Sequence, residues 1–332
     1  MDDNFTVGGD LPLSIGRLSN LEQLHLKSTN LYGDLPPSLF NLTLLKALNL
    51  QENPGLVGPL SHQIGNLTNL RFLNLSKTGF SGSIPNSIGN LINLEHLFLS
   101  RTRLTGPIPH EIGFLSKLQH IRISHSPISG SLPASIGNLT SLEYLYINDT
   151  KITGEIPSTL GTLTSLETIF LARNCLSGSI PPSFKTLVSL FRLNLEGNEL
   201  SGCIPPELGQ LSSLAVLKLN ENKFSGPIPI ELCLLSNLIQ LDVSDNVLEG
   251  EIPEEVVCLG RLTLLKSANN RLSGCVPAGL AKLVNLYSLD LRGNEGLSTE
   301  LPIAFNSSYE TSTGSVAVLD MLMNQGFTLK QE

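Results

Sequence analysis

Tryptophan is absent from the 332 residues, and aromatic side chains of all kinds make up only 5% of them. A core built from stacked rings is therefore excluded, and aliphatic side chains must carry the burial; the hydrophobic share of 41% is ordinary for a folded chain and argues against disorder over most of its length. Long apolar runs are missing too. Every leucine cluster is broken by Asn, Ser, Gly or Pro within a few positions, so no stretch of eighteen apolar residues is available to span a bilayer. The opening MDDNFTVGGD is acidic and polar where a secretory leader would show a basic start and an apolar run.

Positive charge is not in excess. Lys and Arg number 21 against 29 Asp and Glu; residues 1–166 hold ten against eleven, and residues 167–332 eleven against eighteen. No basic stripe follows a phosphate backbone, so nucleic acid is excluded as a partner. The five cysteines, Cys175, Cys203, Cys233, Cys258 and Cys275, are an odd number that fits no disulfide framework. Only Cys233 and Cys258, one position out of register on adjacent repeats, are placed to meet. We read them as free, mostly buried thiols, which suits a reducing compartment.

What the chain has in abundance is a period. Gly33 is followed by Gly58 after 25 residues, then by Gly82, Gly106, Gly130, Gly154, Gly178, Gly202, Gly226, Gly250 and Gly274 at intervals of 24. Around each glycine runs LxxLxLxxNxLxGxIPxxLxxLxx, and twelve copies begin at Leu21, Leu45, Leu70, Leu94, Leu118, Leu142, Leu166, Leu190, Leu214, Leu238, Leu262 and Leu286. The LxL core has the period of two that a short strand requires; the glycine and Ile-Pro turn the chain before a short helical return. One copy cannot bury its own leucines. Copies stacked at the strand spacing of roughly 4.8 Å form a parallel sheet, with the return as crossover, over a continuous leucine core roughly 55 to 60 Å long.

The ninth position points inward, where an Asn amide satisfies backbone groups at the bend. It reads Thr29, Asn53, Thr78, Thr102, Ser126 and Thr150, and then Asn174, Asn198, Asn222, Asn246, Asn270 and Asn294. A hydroxyl serves fewer groups than an amide, so the first half of this ladder is expected to be less completely bonded.

The LxGxIP form resembles the plant-type leucine-rich repeats of receptor-like kinase ectodomains, receptor-like proteins and polygalacturonase-inhibiting proteins. The resemblance covers residues 21 to about 305 and implies an α/β repeat solenoid, a horseshoe or superhelix with a parallel concave β-sheet and short helical or irregular convex returns. It also implies a right-handed twist and a second short strand near each Leu-x-Gly. Three segments are expected: residues 1–20, a partial N-terminal repeat entered at Val7, Gly9 and Pro12; residues 21–305, twelve repeats; and residues 306–332, a tail. That tail carries Val316, Val318, Leu319, Leu322, Met323 and Phe327 and either folds over the last repeat or stays disordered. Extracellular members usually close both ends with cysteine pairs, which this chain lacks before Leu21 and after Pro302.

In LxxLxLxx the second, third, fifth, seventh and eighth positions face the concave side. The third reads Phe72, His96, His120 and Tyr144 on consecutive repeats, and the fifth reads Phe98, Arg122, Tyr146 and Phe170. Phe191 and Arg192 extend the group, and Arg101, His125, Asp149 and Arg173 flank it at the eighth position. Rings and guanidinium groups are what interface anchors are made of. The competing explanation is that aromatics simply pair well across exposed strands. Later fifth-position residues, Asn194, Lys218, Asp242, Lys266 and Asp290, are polar, so the cluster is local.

Seven Asn-x-Ser/Thr sequons occur, at Asn4, Asn41, Asn66, Asn74, Asn138, Asn148 and Asn306, of which Asn41, Asn66, Asn138 and Asn148 are the glycosylation candidates. Asn-Leu-Thr is part of the repeat consensus and recurs by duplication without any glycan, and a glycan on the concave Asn74 would obstruct binding. His96 and His120 are neighbours at one position, but no carboxylate or cysteine beside them completes a ligand set, so neither metal nor cofactor is expected. No nucleophile with base and acid, no carboxylate pair in a cleft and no phosphate loop stands outside the consensus. The expected function is therefore non-catalytic recognition of a protein or peptide on the concave face. The alternatives are inhibition of a secreted cell-wall hydrolase or polysaccharide binding, and an intracellular scaffold. The compartment is extracellular or cell-surface if the chain is a fragment of a receptor-like protein, and cytoplasmic if it is complete.

Overall fold

The computed structural model describes residues 8–303, 305 and 313–329. Two compact units divide at Cys175 and Leu176. In the first unit, strands Gln23–His25, Ala47–Asn49, Phe72–Asn74, His96–Phe98, His120–Arg122, Tyr144–Tyr146 and Thr168–Phe170 pair in parallel. The second unit repeats the pattern with Arg192–Asn194, Val216–Lys218, Gln240–Asp242, Leu264–Lys266 and Ser288–Asp290. Each strand is the x-L-x centre of the motif, three residues long, and its middle residue points into the core: Leu48, Leu73, Leu97, Leu145 and Leu193 are fully buried. Burying one such side chain contributes about 1.5 to 3 kcal/mol, so the ladder of leucines is the main cohesive term in each unit.

The returns are five-residue 3-10 helices entered through an extended proline, except His62–Asn66, which is entered through Ser61, whose hydroxyl accepts from Gln63 N–H. Ser158–Thr162 follows Pro157 at φ −62° and ψ 128°, and Leu160 donates its N–H to Pro157 O at 3.0 Å. This tighter helix fits where a full α-helical turn would push neighbouring coils apart. Glycine in these helices has a packing reason: a Cβ on Gly137 would lie 2.6 Å from Thr159 O on the next coil. The Leu-x-Gly segments form the second short strands that the resemblance implies, such as Lys151–Glu155 on Ser129–Ser131 and Lys223–Gly226 on Glu199–Cys203. Their glycines have positive φ, 76° at Gly154, where a Cβ would be strained.

The ninth-position ladder divides as its chemistry requires. Asn246 accepts from Phe224 N–H at 2.9 Å and donates to the carbonyls of Leu219, Val243 and Ser244 at 3.0, 3.2 and 3.0 Å. Thr78 donates to Leu75 O alone among the described residues, at 2.6 Å. Ser126 reaches one coil back, accepting from Thr102 N–H and donating to Leu99 O.

At the end of the second unit, Thr313–Met323 is an α-helix with Val318, Leu319 and Leu322 fully buried, Phe327 buried beyond it and Met323 exposed. The side chain of Val316 lies outside the described part, as do Val7, Asn4 and Asn306. Gln325 receives Leu291 N–H at 2.8 Å and donates to Leu289 O at 2.6 Å, so a side-chain amide continues the hydrogen bonding of the strand Ser288–Asp290. Thr328–Leu329 adds parallel to Glu300–Leu301.

The thiols correct one expectation. All five are free, but Cys175, Cys203, Cys258 and Cys275 are exposed and only Cys233 is buried. Cys203 and Cys275 follow the turn glycine, where the chain faces solvent before Ile204-Pro205 and Val276-Pro277 re-enter the core.

Candidate concave binding site

In the first unit the strand register places the third and fifth positions of successive coils side by side. His96 is opposite Phe72 on one neighbour and His120 on the other, and Arg122 lies between Phe98 and Tyr146. A continuous ring contact results. Phe72 meets His96 at 5.8 Å and Phe98 at 5.6 Å. His96 meets His120 edge to face at 4.6 Å, and His120 meets Tyr144 at 4.5 Å. Tyr144 stacks on Tyr146 at 6.5 Å, and Tyr146 reaches Phe170 at 5.7 Å. These separations fall in the range where aromatic pairs attract beyond simple burial. The Arg122 guanidinium sits 5.6 Å from the Phe98 ring and 4.7 Å from the Tyr146 ring, a cation held between two π faces and still exposed. The seven rings are half-buried, each covered on its sides by its neighbours and open toward solvent.

Polar handles fix this surface. The Tyr144 hydroxyl donates to Glu167 Oε2 at 2.5 Å, and that bond, aided by burial, pushes the phenol up to about 12. Burial and then the neighbouring His96 hold the His120 imidazole below its ordinary value, against the pull of Glu143 at 3.8 Å. His96 Nδ1 is buried with no partner in the described structure, an unmet polar atom that a ligand group reaching the patch would satisfy.

The eighth position carries a feature that sequence reasoning did not find. Ser28, Glu52, Lys77, Arg101, His125, Asp149 and Arg173 all adopt left-handed backbone, with φ between 52° and 62°. Left-handed geometry costs a non-glycine residue on the order of 1 kcal/mol, and only Gly197 and Gly293 take the unstrained option at this position in the second unit. Those two glycines were the one signal available. Both ends of the row are paired. Glu52 receives Lys77 at 2.6 Å and Ser28 at 2.7 Å, and these bonds hold its carboxyl at about 2. Asp149 takes Arg173 Nε at 2.5 Å and Nη2 at 3.0 Å and faces His125 at 3.4 Å, with its carboxyl lowered chiefly by Arg173. Arg173 is thereby tied back along the coil edge.

Phe191 and Arg192 lie in the second unit, both exposed, with the guanidinium 5.5 Å from the Phe191 ring. Asn41, Asn66 and Asn138 are exposed at the ends of 3-10 helices. Asn148 is half-buried and commits its amide to Asp149 at 2.6 Å. Asn74 is not available at all: it is buried, accepting from Ser76 N–H and donating to Gln51 at 2.9 Å.

Short parallel strands from LxL, second strands at Leu-x-Gly and 3-10 returns after Ile-Pro define a leucine-rich-repeat solenoid. Residues 48–150 match the family described as leucine-rich repeat region, and residues 140–200 and 237–259 match two further leucine-rich-repeat families. The chain belongs to the plant-type leucine-rich-repeat family. It is similar to the plant peptide hormone receptor RGFR1 solved in complex with RGF2, at 34% identity and a TM-score of 0.79 over 90% of this chain and 51% of that one. A TDR receptor is 32% identical, with a TM-score of 0.83 over 90% of this chain and 52% of that one. Receptor-like protein 41 of Arabidopsis thaliana is 40% identical over 79 residues, 24% of this chain and 9% of that protein. The chain thus spans about half the length of these receptor structures. Among the described residues no helix is long and apolar enough to cross a membrane.

Proposed function

We propose that the chain is a non-catalytic recognition module that binds a peptide or an extended protein segment along the concave strands from Phe72 to Phe170. The observation that carries this reading is the unbroken contact of seven rings, Phe72, His96, Phe98, His120, Tyr144, Tyr146 and Phe170, with Arg122 held among them. Pre-ordered rings lose little side-chain entropy on binding, and a guanidinium already positioned over two rings is a ready anchor. Similarity to a receptor whose solved structure holds the partner RGF2 supports the choice of a peptide. Exposed Asn41, Asn66 and Asn138 would carry glycans on the returns, away from these strands.

The test uses a display library of linear peptides panned on the whole chain. Binders are expected to weaken at least about thirtyfold on replacing Tyr144, Tyr146 and Phe170 together with Ala, since central anchors are worth about 2 kcal/mol or more. The circular dichroism spectrum should stay unchanged. Binders that hold equally well to the triple variant refute the assignment.

A further inference from the structure

We infer that Cys233 and Cys258 are an oxidisable pair, which a low-molecular-weight disulfide such as oxidised glutathione converts into a covalent bridge between two adjacent returns of the second unit. Cys233 lies in the 3-10 helix Ile230–Leu234, and Cys258 ends the next one, Glu254–Cys258. Both thiols are free, with Cys258 exposed and Cys233 buried. The other three cysteines lie on or beside the second strands Cys175–Gly178, Glu199–Cys203 and Arg271–Gly274, away from the returns.

The repeat register brings the pair together. Cys233 is the fourth residue of its return, the place that Gly65, Gly89, Gly113, Gly137 and Gly209 hold in theirs. A Cβ at that place is aimed at the following coil: on Gly209 it would lie 2.3 Å from Glu231 O, and on Gly113 2.6 Å from Ser135 O. Cys258 is the fifth residue of its return, as Asn90 is of Asn86–Asn90. A Cβ on Gly65 would lie 3.0 Å from Asn90 Nδ2, so side chains at the fourth place and at the fifth place one coil on meet directly. Only at Cys233 and Cys258 do both places carry a thiol. A disulfide joins β carbons roughly 4 Å apart, within the reach of these two places. Because a Cβ does not fit at the glycine spacing, the coil after Cys233 must stand further off, a looser joint that a covalent bridge would hold.

The exchange balances. The exposed Cys258 is reached first: its thiolate attacks one sulfur of oxidised glutathione, forming a mixed disulfide and expelling one glutathione thiolate. Cys233 then gives up its proton and attacks the Cys258 sulfur, forming the bridge and expelling the second glutathione thiolate. Two protein thiols and one oxidised glutathione thus become one protein disulfide and two reduced glutathiones. Burial, and then Glu255 and Cys258, push the Cys233 thiol up to about 11. Closure is therefore slow at neutral pH and quickens as the pH rises.

The test equilibrates the full chain in buffers of graded reduced and oxidised glutathione, quenches with acid, and blocks remaining thiols with N-ethylmaleimide in urea. Trypsin then leaves both cysteines in one peptide, residues 224–261. That peptide is expected lighter by two hydrogen atoms, without glutathione attached. Cys233→Ser should instead keep glutathione on Cys258, and Cys258→Ser should leave Cys233 reduced. Repeating the equilibration in urea separates placement by the fold from the mere presence of two thiols. Holding the ends of a loop of this length favours closure by roughly a few hundredfold, so the closing constant should fall by about that factor in the unfolded chain. A constant as large in urea as in the folded chain overturns the pair. So does a folded parent in which no bridge forms at any ratio, or in which Cys258 keeps its glutathione while Cys233 stays reduced.

Discussion

Replacing Asn246 with threonine, the commonest residue at the equivalent place in the first unit, tests the inward ladder quantitatively. The Asn246 amide serves one N–H and three carbonyls, and because its two protons are shared among those carbonyls the arrangement amounts to three independent bonds. By analogy with Thr78, whose hydroxyl reaches the carbonyl three residues before it, a threonine at 246 would keep the bond to Val243 O and lose the rest. At about 1 kcal/mol net per buried hydrogen bond the substitution should cost about 2 kcal/mol. The amide of Phe224, left without its acceptor, should exchange with solvent about thirtyfold faster. Native-state hydrogen exchange reads that amide directly, and urea unfolding followed by circular dichroism reads the total. Thr78→Val, which removes a single bond, should cost only about 1 kcal/mol. Equal losses in the two variants, or unchanged protection at Phe224, would refute the idea that amides and hydroxyls do different amounts of work in this ladder.

Three further outcomes follow from particular groups. Because burial, and then the neighbouring His96, hold the His120 imidazole below its ordinary value of 6.5, the unfolded chain binds more protons than the folded one in the window beneath that value. Stability is therefore complete above about pH 6.5 and declines as the pH falls through the window. The thermal midpoint should drop more between pH 7.5 and 5.5 in the parent than in His120→Gln, and parallel curves would contradict this. Ellman's reagent should label Cys175, Cys203, Cys258 and Cys275 quickly and Cys233 slowly, since burial pushes that thiol up to about 11; five fast thiols would be the contrary result. Gly137→Ala should cost about 2 kcal/mol, because the new methyl would meet Thr159 O at 2.6 Å on the neighbouring coil. An unaltered urea midpoint would show that the coils can part without penalty.

The repeat made the strand positions, the buried leucines and the division of the Asn ladder legible beforehand, because each follows from spacing and hydrogen-bonding capacity. The columns of Phe72, His96, His120 and Tyr144 and of Phe98, Arg122, Tyr146 and Phe170 were also readable, since register follows from a fixed period. What spacing does not carry is the third dimension around each side chain. The left-handed row at Lys77, Arg101, His125 and Asp149 was hidden because long charged residues occupy a conformation that normally announces itself through glycine. The flanking residues looked alike in sequence, yet Arg173 is neutralised by Asp149 while Arg101 is not. Cysteine is usually buried, so its exposure just past the turn glycine ran against composition. Asn74 occupies an outward position by period, but its amide is drawn down to Gln51. Phe191 and Arg192, joined to the patch by sequence adjacency, are placed in the second unit.

The claim that matters most is that ligand lies on the strands from Phe72 to Phe170. Its most direct test is photo-cross-linking with a panned peptide that carries a photoreactive phenylalanine analogue, followed by mass-spectrometric mapping on the whole chain. The account predicts adducts concentrated on the tryptic fragments holding Phe98, Arg122, Tyr144, Tyr146 and Phe170. Adducts confined to the 3-10 returns, or to the polar strands around Lys218 and Lys266, would contradict it.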